Sequence, residues 1–464
     1  MFCPWLPRAE VARFYAFRVS QSAGFSLPIY VLFFQSRGLS LAEIGAVEAL
    51  FTVFVVAAET PTGYLGDRFG RRASLLAGTA LSALGVVGFV FARSFAAFAV
   101  VIVVRAVAEA FRSGATDAWL YETLAGDADT DRFAHVSGRA SALGLATLAG
   151  ASLVGGGLYA IDPIYPWVLE GAALTTGLAI LLGMDEPERT SDVGAGSTRF
   201  SPRETLAAVR STVANRAVGP LVLAVGLLAG VTNTMEFYLQ PVAVATPWLS
   251  ATELGPLYAG LTLASAGVAA RAGWIEDRFG VRGWFLVGLP LLGGALVVVA
   301  VAPALALPVF VMGRAVRGAT TPIFGQFLND RADEGRATVL SAASTVRSLF
   351  TAPLNLLGGG LATTYALSTG LGGLGAVLLV GLVCTLAAWR QAADHRFDRL
   401  RSGAIPFEHP REHNGPLDRD TGHDRSGPRD RQRPGPPPGR RSRRLRKARP
   451  RPGVVQPWRG VLPH

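Results

Sequence analysis

The chain has 464 residues, of which 50% are hydrophobic and only 17% are charged, and its mean hydropathy is +0.35. This balance excludes an ordinary soluble domain and predicts an integral membrane protein. The formal net charge of +11 belongs to residues 390–464, which hold 19 basic and 8 acidic side chains, so the rest of the chain is neutral overall.

Twelve apolar runs follow one another, and each is long enough for a helix that crosses a bilayer core of roughly 30 Å, which needs about 20 residues. The runs are approximately 13–35, 41–62, 74–92, 95–117, 138–160, 165–183, 219–243, 254–272, 284–303, 306–327, 338–361 and 367–389. The first run is too long for the apolar core of a cleaved signal peptide, so we expect it to remain as a membrane helix. The sequence therefore predicts an all-α integral membrane protein with twelve transmembrane helices.

Arginine placement favours an even number of spans with both ends in the cytoplasm, because loops that face the cytoplasm collect Lys and Arg. With the N-terminus inside, the inward segments of residues 1–389 hold 17 arginines and the outward loops hold two, Arg37 and Arg93. We therefore expect a multi-pass protein of the cell membrane. Its predicted parts are an N-terminal bundle of residues 1–184, a cytoplasmic linker of residues 185–216, a C-terminal bundle of residues 217–390 and a tail of residues 391–464.

A charged decapeptide occurs twice, as GYLGDRFGRR at residues 63–72 and as GWIEDRFGVR at residues 273–282. Each copy joins the second and third spans of its half, and Arg105 recurs as Arg314 at nearly the same offset. The chain is thus predicted to be a duplicated six-helix unit. Four glycines are expected to permit a sharp turn in these two segments: Gly63, Gly70, Gly273 and Gly280.

The first decapeptide resembles the loop signature of the major facilitator superfamily, and VRAVAEAFRSG, beginning at Val104, resembles its fourth-helix arginine motif. The resemblance covers residues 10–390. It implies two six-helix bundles, related by a pseudo-two-fold axis, around a midplane substrate site that opens to alternate sides. ETPTGYLGDRFGRR and SGATDAWLYE look like the efflux-type, drug/proton antiporter members. However, GASLVGGG at residues 150–157 has Ala151 where the antiporter motif Gly-Pro-x-x-Gly-Gly has proline.

The resemblance also implies a conformational clasp at the cytoplasmic surface. In this reading Asp67 caps a helix of the other half, and the arginines beside it pair with an acid at the inner end of the fourth helix, for which Glu122 is the candidate. The alternative is that these loop charges only follow the positive-inside rule. The predicted clasp residues are Gly63, Asp67, Arg68, Gly70, Arg71, Arg72, Glu122, Asp277 and Arg278.

Charged side chains within the spans mark the predicted substrate and proton cavity. Each costs about 2.5–3.5 kcal/mol at a helix centre on insertion scales, so it should face water or a partner. Arg105, Glu109 and Arg112 share one face of the fourth span. The seventh span carries an acid, an aromatic and an amide side chain before Pro241, and one alternative is that only one of them faces the cavity. The cavity candidates are Arg18, Glu59, Arg105, Glu109, Arg112, Asp117, Glu236, Tyr238, Gln240, Arg314 and Arg347.

Structural roles stay open for several embedded charges. Glu59 could instead form an ion pair with Arg18 or Arg112, and Asp117 could belong to a network near the inner surface. Glu170, near the start of the sixth span, could reach the membrane surface.

The sequence has no phosphate-binding Gly-x-x-x-x-Gly-Lys loop, since its one lysine is Lys447, and this excludes ATP-driven pumping by this chain. No cofactor, metal site or enzyme activity is expected, and a proton gradient is the expected energy source. We expect a secondary transporter that couples protons to efflux of small amphipathic organic compounds. The alternatives are uptake of a small metabolite, an anionic one given the excess of embedded arginines, and a membrane sensor or scaffold that transports nothing.

The segment from about residue 402 is rich in Arg, Pro, Asp and Gly, a composition that cannot bury a core. It is predicted to be a disordered cytoplasmic tail. Its basic cluster at residues 439–451 could lie on anionic lipid, whereas nucleic-acid binding is not expected. The expected partners are therefore a small-molecule substrate and the bilayer, with the protein as a monomer.

Overall fold

Helices occupy all twelve predicted spans, although the first of them is broken. The computed structural model describes residues 9–126, 129–187, 202–215, 218–329 and 336–401, and all of these belong to one compact unit. No strand is present in these residues. The basic cluster at residues 439–451 and the rest of the predicted tail from residue 402 lie outside them.

The N-terminal half contains seven helical pieces because the first span is split. They are α1 (Ala9–Gln21), α2 (Tyr30–Ser36), α3 (Leu41–Phe69), α4 (Arg71–Phe91), α5 (Phe95–Gly126), α6 (Phe133–Ile161) and α7 (Tyr165–Leu182). Within this half α4 packs against α5 and α7, α3 packs against α5, and α1 packs against α6 and α7.

The C-terminal half repeats this plan after a helix in the predicted linker. The helices are α8 (Pro202–Ala214) in the linker, then α9 (Gly219–Val244), α10 (Leu254–Ala269), α11 (Ala272–Val299), α12 (Ala306–Asn329), α13 (Arg336–Thr364) and α14 (Leu367–Arg401). The last helix runs past residue 390, where the sequence analysis placed the end of the bundle. That boundary was drawn where apolar residues end, yet a helix can continue into water once its apolar part is anchored.

Membrane-spanning character is clear from length and apolarity for seven helices among the described residues. They include α3, α4, α7, α9 and α11. The helices in the other predicted spans are shorter, broken, or carry more polar and charged side chains. The fold is therefore that of an all-α, multi-pass membrane protein.

The first predicted span is interrupted between Gln21 and Tyr30, so α1 and α2 are separate helices. Non-helical backbone begins at Ser22, and a single 3₁₀ turn covers Leu27–Ile29. Pro28 lies in that turn and has no N–H to donate to a regular helix. Broken helices are tolerated at membrane depth only where other groups satisfy the freed backbone.

The repeated decapeptides are mostly helical, and only one of the two predicted turn glycines in each copy turns the chain. In the first copy α3 continues to Phe69, and Gly70 alone, at φ 111°, separates it from α4. In the second copy Gly280, at φ 66°, interrupts α11. Of the four glycines expected to permit a turn here, only Gly70 and Gly280 adopt the backbone that disfavours other residues. Gly63 and Gly273 lie within helices and permit no turn.

The two ends of the bundle differ in how the halves meet. We call the end where α3 meets α4 the linker side, because α8 packs there on α9 and α13, and we call the opposite end the far side. The apolar cluster on the far side mixes both halves, since Ile29 and Phe34 share it with Ala243 and Leu254. Two clusters at the linker side each draw on one half only, around Trp119 and around Ile323 respectively.

Backbone contacts close the far side of the seam. The amide of Ala42 donates to Thr363 Oγ1 at 2.8 Å, and a Cβ on Gly45 would lie 2.4 Å from the carbonyl oxygen of Asn355. A second crossing joins α6 to the start of α10, where a Cβ on Gly156 would lie 2.6 Å from the carbonyl oxygen of Ala251. Glycine lets the two halves approach to backbone distance at both crossings.

Candidate functional site

A cavity of about 830 Å³ lies between the two halves. Its lining combines apolar side chains, such as Phe51, Ile102 and Phe237, with a set of ionisable ones. The cationic side chains of the lining are those of Arg18, Arg105, Arg314 and Arg317, and the acidic ones are those of Glu48, Glu170 and Glu236. A largely apolar pocket with a few convergent polar groups has the composition of a small-molecule site.

One buried ion pair lies on the N-terminal wall. Arg105 Nη2 of α5 is 3.8 Å from Glu170 Oε1 of α7, and the guanidinium lies over the ring of Phe89, 5.3 Å from its centroid. Glu170 also accepts hydrogen bonds from the backbone N–H of Ser26, at 3.2 Å, and from its hydroxyl. A Cβ on Gly85 would lie 2.5 Å from Arg105 Cγ, so this glycine makes room for the arginine.

Glu170 is therefore buried in the cavity wall, with 8% of its surface exposed, and does not reach the membrane surface. The sequence analysis placed it near a helix start, where a long side chain could extend outward. Trp167, one turn earlier in α7, is fully buried, so this face of the helix is turned toward the core. The break between α1 and α2 then supplies the donors of Ser26 to the carboxylate.

A matching ion pair lies on the C-terminal wall. Arg314 Nη2 of α12 is 2.7 Å from Glu236 Oε2 of α9. The Arg314 guanidinium lies over the ring of Tyr258, 5.8 Å from its centroid, and the hydroxyl of Tyr258 accepts a hydrogen bond from Gln240 Nε2 at 3.0 Å. Each half thus presents one arginine, held by a carboxylate and an aromatic ring, to the same cavity.

Two arginines on the cavity wall have no such partner. Arg18 of α1 and Arg317 of α12 both line the cavity, and in the part of the chain that the structure describes neither side chain forms an ion pair or donates a hydrogen bond. A guanidinium stays protonated in proteins, so neither side chain can become neutral to avoid the cost of an unpaired charge. The described lining therefore has four positive and three negative side chains.

Gln240 connects the halves through the broken first span. Its Oε1 accepts hydrogen bonds from the backbone N–H groups of Val31, at 2.8 Å, and Leu32, at 3.2 Å. Its Nε2 donates to the carbonyl oxygen of Leu27 at 3.0 Å. A single side chain of α9 thus satisfies backbone groups that the break in the N-terminal half leaves without helical partners.

Six of the predicted cavity candidates do not line the cavity: Glu59, Glu109, Arg112, Asp117, Tyr238 and Arg347. Arg112 binds Glu109 at 2.5 Å and also donates to Gln21. Glu59 forms no ion pair within the described residues, so the alternative of a pair with Arg18 or Arg112 is not realised. Asp117, Glu59 and Arg347 are exposed.

Tyr238 lies on the other side of α9 from the cavity. Its hydroxyl donates to the carbonyl oxygen of Gly358 at 2.7 Å, and the side chain is buried. Glu236 and Gln240, four residues apart, share one helix face, whereas a residue midway between them points away from it. Glu236, Tyr238 and Gln240 were all predicted to line the cavity. Helical periodicity places Tyr238 on a different face from the other two.

The predicted clasp forms a polar cluster within the N-terminal half at the linker side. Arg71 binds Asp67 at 2.7 Å and Glu122 at 3.0 Å. Arg72 donates to the carbonyl oxygens of Leu181, at 2.9 Å, and Leu182, at 2.8 Å. The geometry brings the arginine and the predicted acid together, while their role in transport stays a prediction.

The cluster also contains a helix cap within the N-terminal half. Glu186, which follows α7, accepts hydrogen bonds from the backbone N–H groups of Arg71, at 2.5 Å, and Arg72, at 3.0 Å, at the start of α4. A carboxylate at a helix N-terminus is favoured by the dipole and by the free N–H groups. The cap on α4 is therefore Glu186, from the same half. Asp67 pairs with Arg71, and its capping of a helix of the other half stays a prediction.

Three other clasp candidates lie apart from this cluster. The Arg68 guanidinium lies over the ring of Phe69, 5.5 Å from its centroid. In the second decapeptide Asp277 and Arg278 are exposed, and within the described residues neither forms an ion pair. The second copy thus repeats the turn at Gly280, while within the described residues Asp277 does not form an ion pair as Asp67 does.

Two sets of helices surround a charged cavity that is closed at one end of their seam, an arrangement typical of multi-pass membrane transporters. The sequence model of the Major Facilitator Superfamily matches residues 14–354. The chain belongs to that family. It is accordingly a transporter and not an enzyme.

Comparisons with individual proteins agree with this assignment. The chain is 26% identical to an uncharacterized MFS-type transporter, YxaM, of Bacillus subtilis (strain 168), over 158 residues that are 34% of this chain and 39% of that relative. The crystal structure of the nucleoside transporter NupG is similar with a TM-score of 0.66 at 12% identity, over 82% of this chain and 99% of NupG. A bacterial homolog of the human lysosomal transporter Spinster, inward-facing and unoccupied, has a TM-score of 0.65 at 17% identity, over 82% and 96% of the chains. At these identities the solved structures show a shared fold alone.

Proposed function

We propose that this protein is a secondary active transporter that carries a small amphipathic organic anion together with protons across the cell membrane. The observation that carries the proposal is the pair of cavity arginines, Arg18 and Arg317, that have no ionic partner in the described residues. An ionised group inside a membrane protein without a partner is costly, and such groups mark substrate pathways. An anionic substrate would supply the missing partner.

The rest of the lining supports an amphipathic substrate. Apolar side chains such as Phe51, Leu148 and Phe237 make up much of the wall, and they suit the carbon skeleton of an organic molecule. A volume of about 830 Å³ holds a small organic ion with some water. A cation would be repelled by the two free guanidinium groups.

The two ion pairs favour movement of the anion and the proton in the same direction. An anion that binds Arg105 or Arg314 must compete with Glu170 or Glu236 for the guanidinium. Protonation of a cavity carboxylate adds net positive charge to the lining and so favours the anion, and proton and anion therefore bind together. With an inward proton gradient this coupling drives uptake, whereas the efflux expected from the sequence requires proton and substrate to bind in alternation.

The closed far side supports alternating access. The seam is sealed there by the crossings at Gly45 and Gly156, while the apolar clusters at the linker side each belong to one half. If the termini are cytoplasmic, as arginine placement predicts, this is the state in which the cavity is shut off from the exterior. Transport would follow when the halves rock so that the far side opens and the linker side closes.

The test compares ligands of similar shape and different charge on the purified full-length protein. Benzenesulfonate, benzenesulfonamide and phenyltrimethylammonium share an aromatic body and differ in charge. We expect benzenesulfonate to raise the unfolding temperature and the other two to have little effect, because a ligand stabilises the fold that binds it. The double variant Arg18→Gln, Arg317→Gln should bind benzenesulfonate about tenfold more weakly or worse, as losing a charged hydrogen bond removes roughly 1.5–3 kcal/mol.

The matched control is Arg139→Gln, which removes an exposed arginine of α6 outside the cavity lining. It should bind benzenesulfonate like the unmodified chain. Stabilisation by phenyltrimethylammonium instead, or equal benzenesulfonate binding in the double variant, would contradict the proposal. Uptake of labelled benzenesulfonate into proteoliposomes then separates a transporter from a membrane sensor that only binds it.

A further inference from the structure

Glu48 differs from the other two cavity carboxylates. Glu170 and Glu236 each lie against an arginine, whereas Glu48 of α3 forms no ion pair within the described residues. Its Oε1 accepts one hydrogen bond, from the hydroxyl of Tyr30 at 2.5 Å. The cavity lining therefore contains a carboxyl group that forms no ion pair within the described residues.

The groups around Glu48 come from three neighbouring elements. Tyr30 belongs to α2, Arg105 to α5 and Glu170 to α7, and all three line the cavity with it. Arg105 is already engaged by Glu170. On the remaining side, α13 packs against α3 and carries no ionisable side chain from residue 348 to residue 364. Arg105, whose positive charge would balance an ionised Glu48, is thus already paired with a second carboxylate, that of Glu170.

The internal repeat shows that the scaffold does not need an acid at this place. With the offset of 210 residues between the decapeptides, Glu48 corresponds to Tyr258 and Tyr30 corresponds to Gln240. The second pair also forms a hydrogen bond, between Gln240 Nε2 and the Tyr258 hydroxyl at 3.0 Å. The contact between helices therefore exists in both halves, and only the N-terminal half makes it with a carboxyl group.

We propose that Glu48, positioned by Tyr30, is the carboxyl group that binds and releases the transported proton. This inference rests on the proposed function and names its coupling site. The carboxylate takes a proton from cavity water, forming a neutral carboxylic acid, and returns it to water after the cavity opens to the other side. The described lining carries four positive and three negative side chains when Glu48 is ionised, so protonation adds one net positive charge and strengthens anion binding.

Infrared spectroscopy tests the site without any substrate. The full-length protein in lipid should develop the stretching band of a protonated carboxyl group as the pH is lowered, and Glu48→Gln should remove that band. Glutamine has the same shape and can still accept the hydrogen bond from Tyr30. The control Glu276→Gln, on α11 outside the cavity lining, should keep the band. An unchanged band in Glu48→Gln would overturn the proposal.

Transport of benzenesulfonate gives an independent readout. This probe stays ionised and does not cross lipid as a neutral acid, so its movement reports the protein alone. In proteoliposomes Glu48→Gln should retain exchange of labelled for unlabelled benzenesulfonate, but its accumulation driven by a pH gradient should fall at least about tenfold, within the usual range of coupling between sites. Gradient-driven accumulation equal to that of the unmodified chain would also overturn the proposal.

The two readouts separate the two levels of inference. If the unmodified chain neither binds nor moves benzenesulfonate, the proposed anion transport fails, while the infrared titration still decides whether Glu48 binds the proton. Tyr30→Phe provides a further check on positioning. Removing the hydroxyl donor should shift the pH at which the carboxyl band appears, and a merely structural role of Tyr30 would leave that pH unchanged.

Discussion

At the scale of single residues, Gln240 forms the hydrogen bonds that satisfy the broken backbone of the first span. Its amide group meets three backbone groups at the break of the first span, those of Leu27, Val31 and Leu32. Backbone groups at membrane depth have no water to bond to, so each needs a protein partner. The amide is suited to this because it both donates and accepts.

We predict that Gln240→Leu lowers the unfolding temperature of the purified protein. An unsatisfied buried backbone group costs about 1–3 kcal/mol, and this change removes the partner of three such groups. The matched control is Gln326→Leu, the same change at an exposed position of α12, which should have little effect. Equal unfolding temperatures for the two variants would show that the break is held by other contacts.

The sequence identified some cavity residues because buried charge is expensive. Arg18, Arg105 and Arg314 were predicted on that ground, and all three line the cavity. The same reasoning applies to Glu48, which lies within an apolar run, but Glu48 is not among the predicted cavity residues, whereas Glu59 is. Aligning the two halves at their repeat offset would have drawn attention to Glu48, since its counterpart Tyr258 is neutral.

At the scale of helices, glycine determines how closely the halves approach. A Cβ on Gly359 of α13 would lie 2.5 Å from the carbonyl oxygen of Leu41 and 3.1 Å from Ala42 Cα. No atom lies within 4 Å of the corresponding position on the next residue, Gly360. The crossing of α3 and α13 therefore depends on one glycine of this adjacent pair.

We predict that Gly359→Ala impairs closure of the far side and lowers the transport rate, whereas Gly360→Ala is tolerated. The added methyl group at residue 359 meets backbone, which cannot move aside as a flexible side chain would. At residue 360 the same change gains helix propensity, worth up to about 1 kcal/mol. The measurement is uptake of labelled benzenesulfonate together with the unfolding temperature of each variant. A more severe loss with Gly360→Ala would contradict the assigned crossing.

The positions of the helices could be predicted from the sequence, whereas the break in the first span and the exact turns could not. Each apolar run predicted as a span falls on helices of the described residues, because burial in lipid depends on composition. Apolar length missed the break between Gln21 and Tyr30, although Gly24 and Pro28 were visible there, since the run stays apolar through the break. It also could not show that Gly70 turns the chain while Gly63 does not, because backbone dihedral angles depend on how the neighbouring helices continue.

At the scale of the whole molecule, transport requires that the far side open and close. The halves meet there through α3 with α13 and through α6 with α10. Ala42 and Thr363 are in direct contact across the first of these seams, at 2.8 Å. A covalent link between these two positions would hold the seam shut.

We predict that the pair Ala42→Cys, Thr363→Cys stops transport when it is oxidised and that a reducing agent restores it. The native cysteines, Cys3 and Cys384, are replaced by serine in the same chain so that only the new pair can react. Each single cysteine variant, treated in the same way, should keep transporting benzenesulfonate. Full activity in the oxidised, cross-linked pair would mean that the far side does not need to open.

The glycine crossings have a further consequence for the speed of the transport cycle. Helices that meet through interlocked side chains must lift those side chains past one another before they can change angle, whereas helices that touch through bare backbone can tilt with little loss of contact. The seams at Gly45 and Gly156 should therefore add less to the activation barrier than the contacts that must be broken beside them. Those contacts are the apolar cluster that joins the halves on the far side and the hydrogen bonds of Gln240 to the broken first helix, so temperature should act on turnover mainly through them.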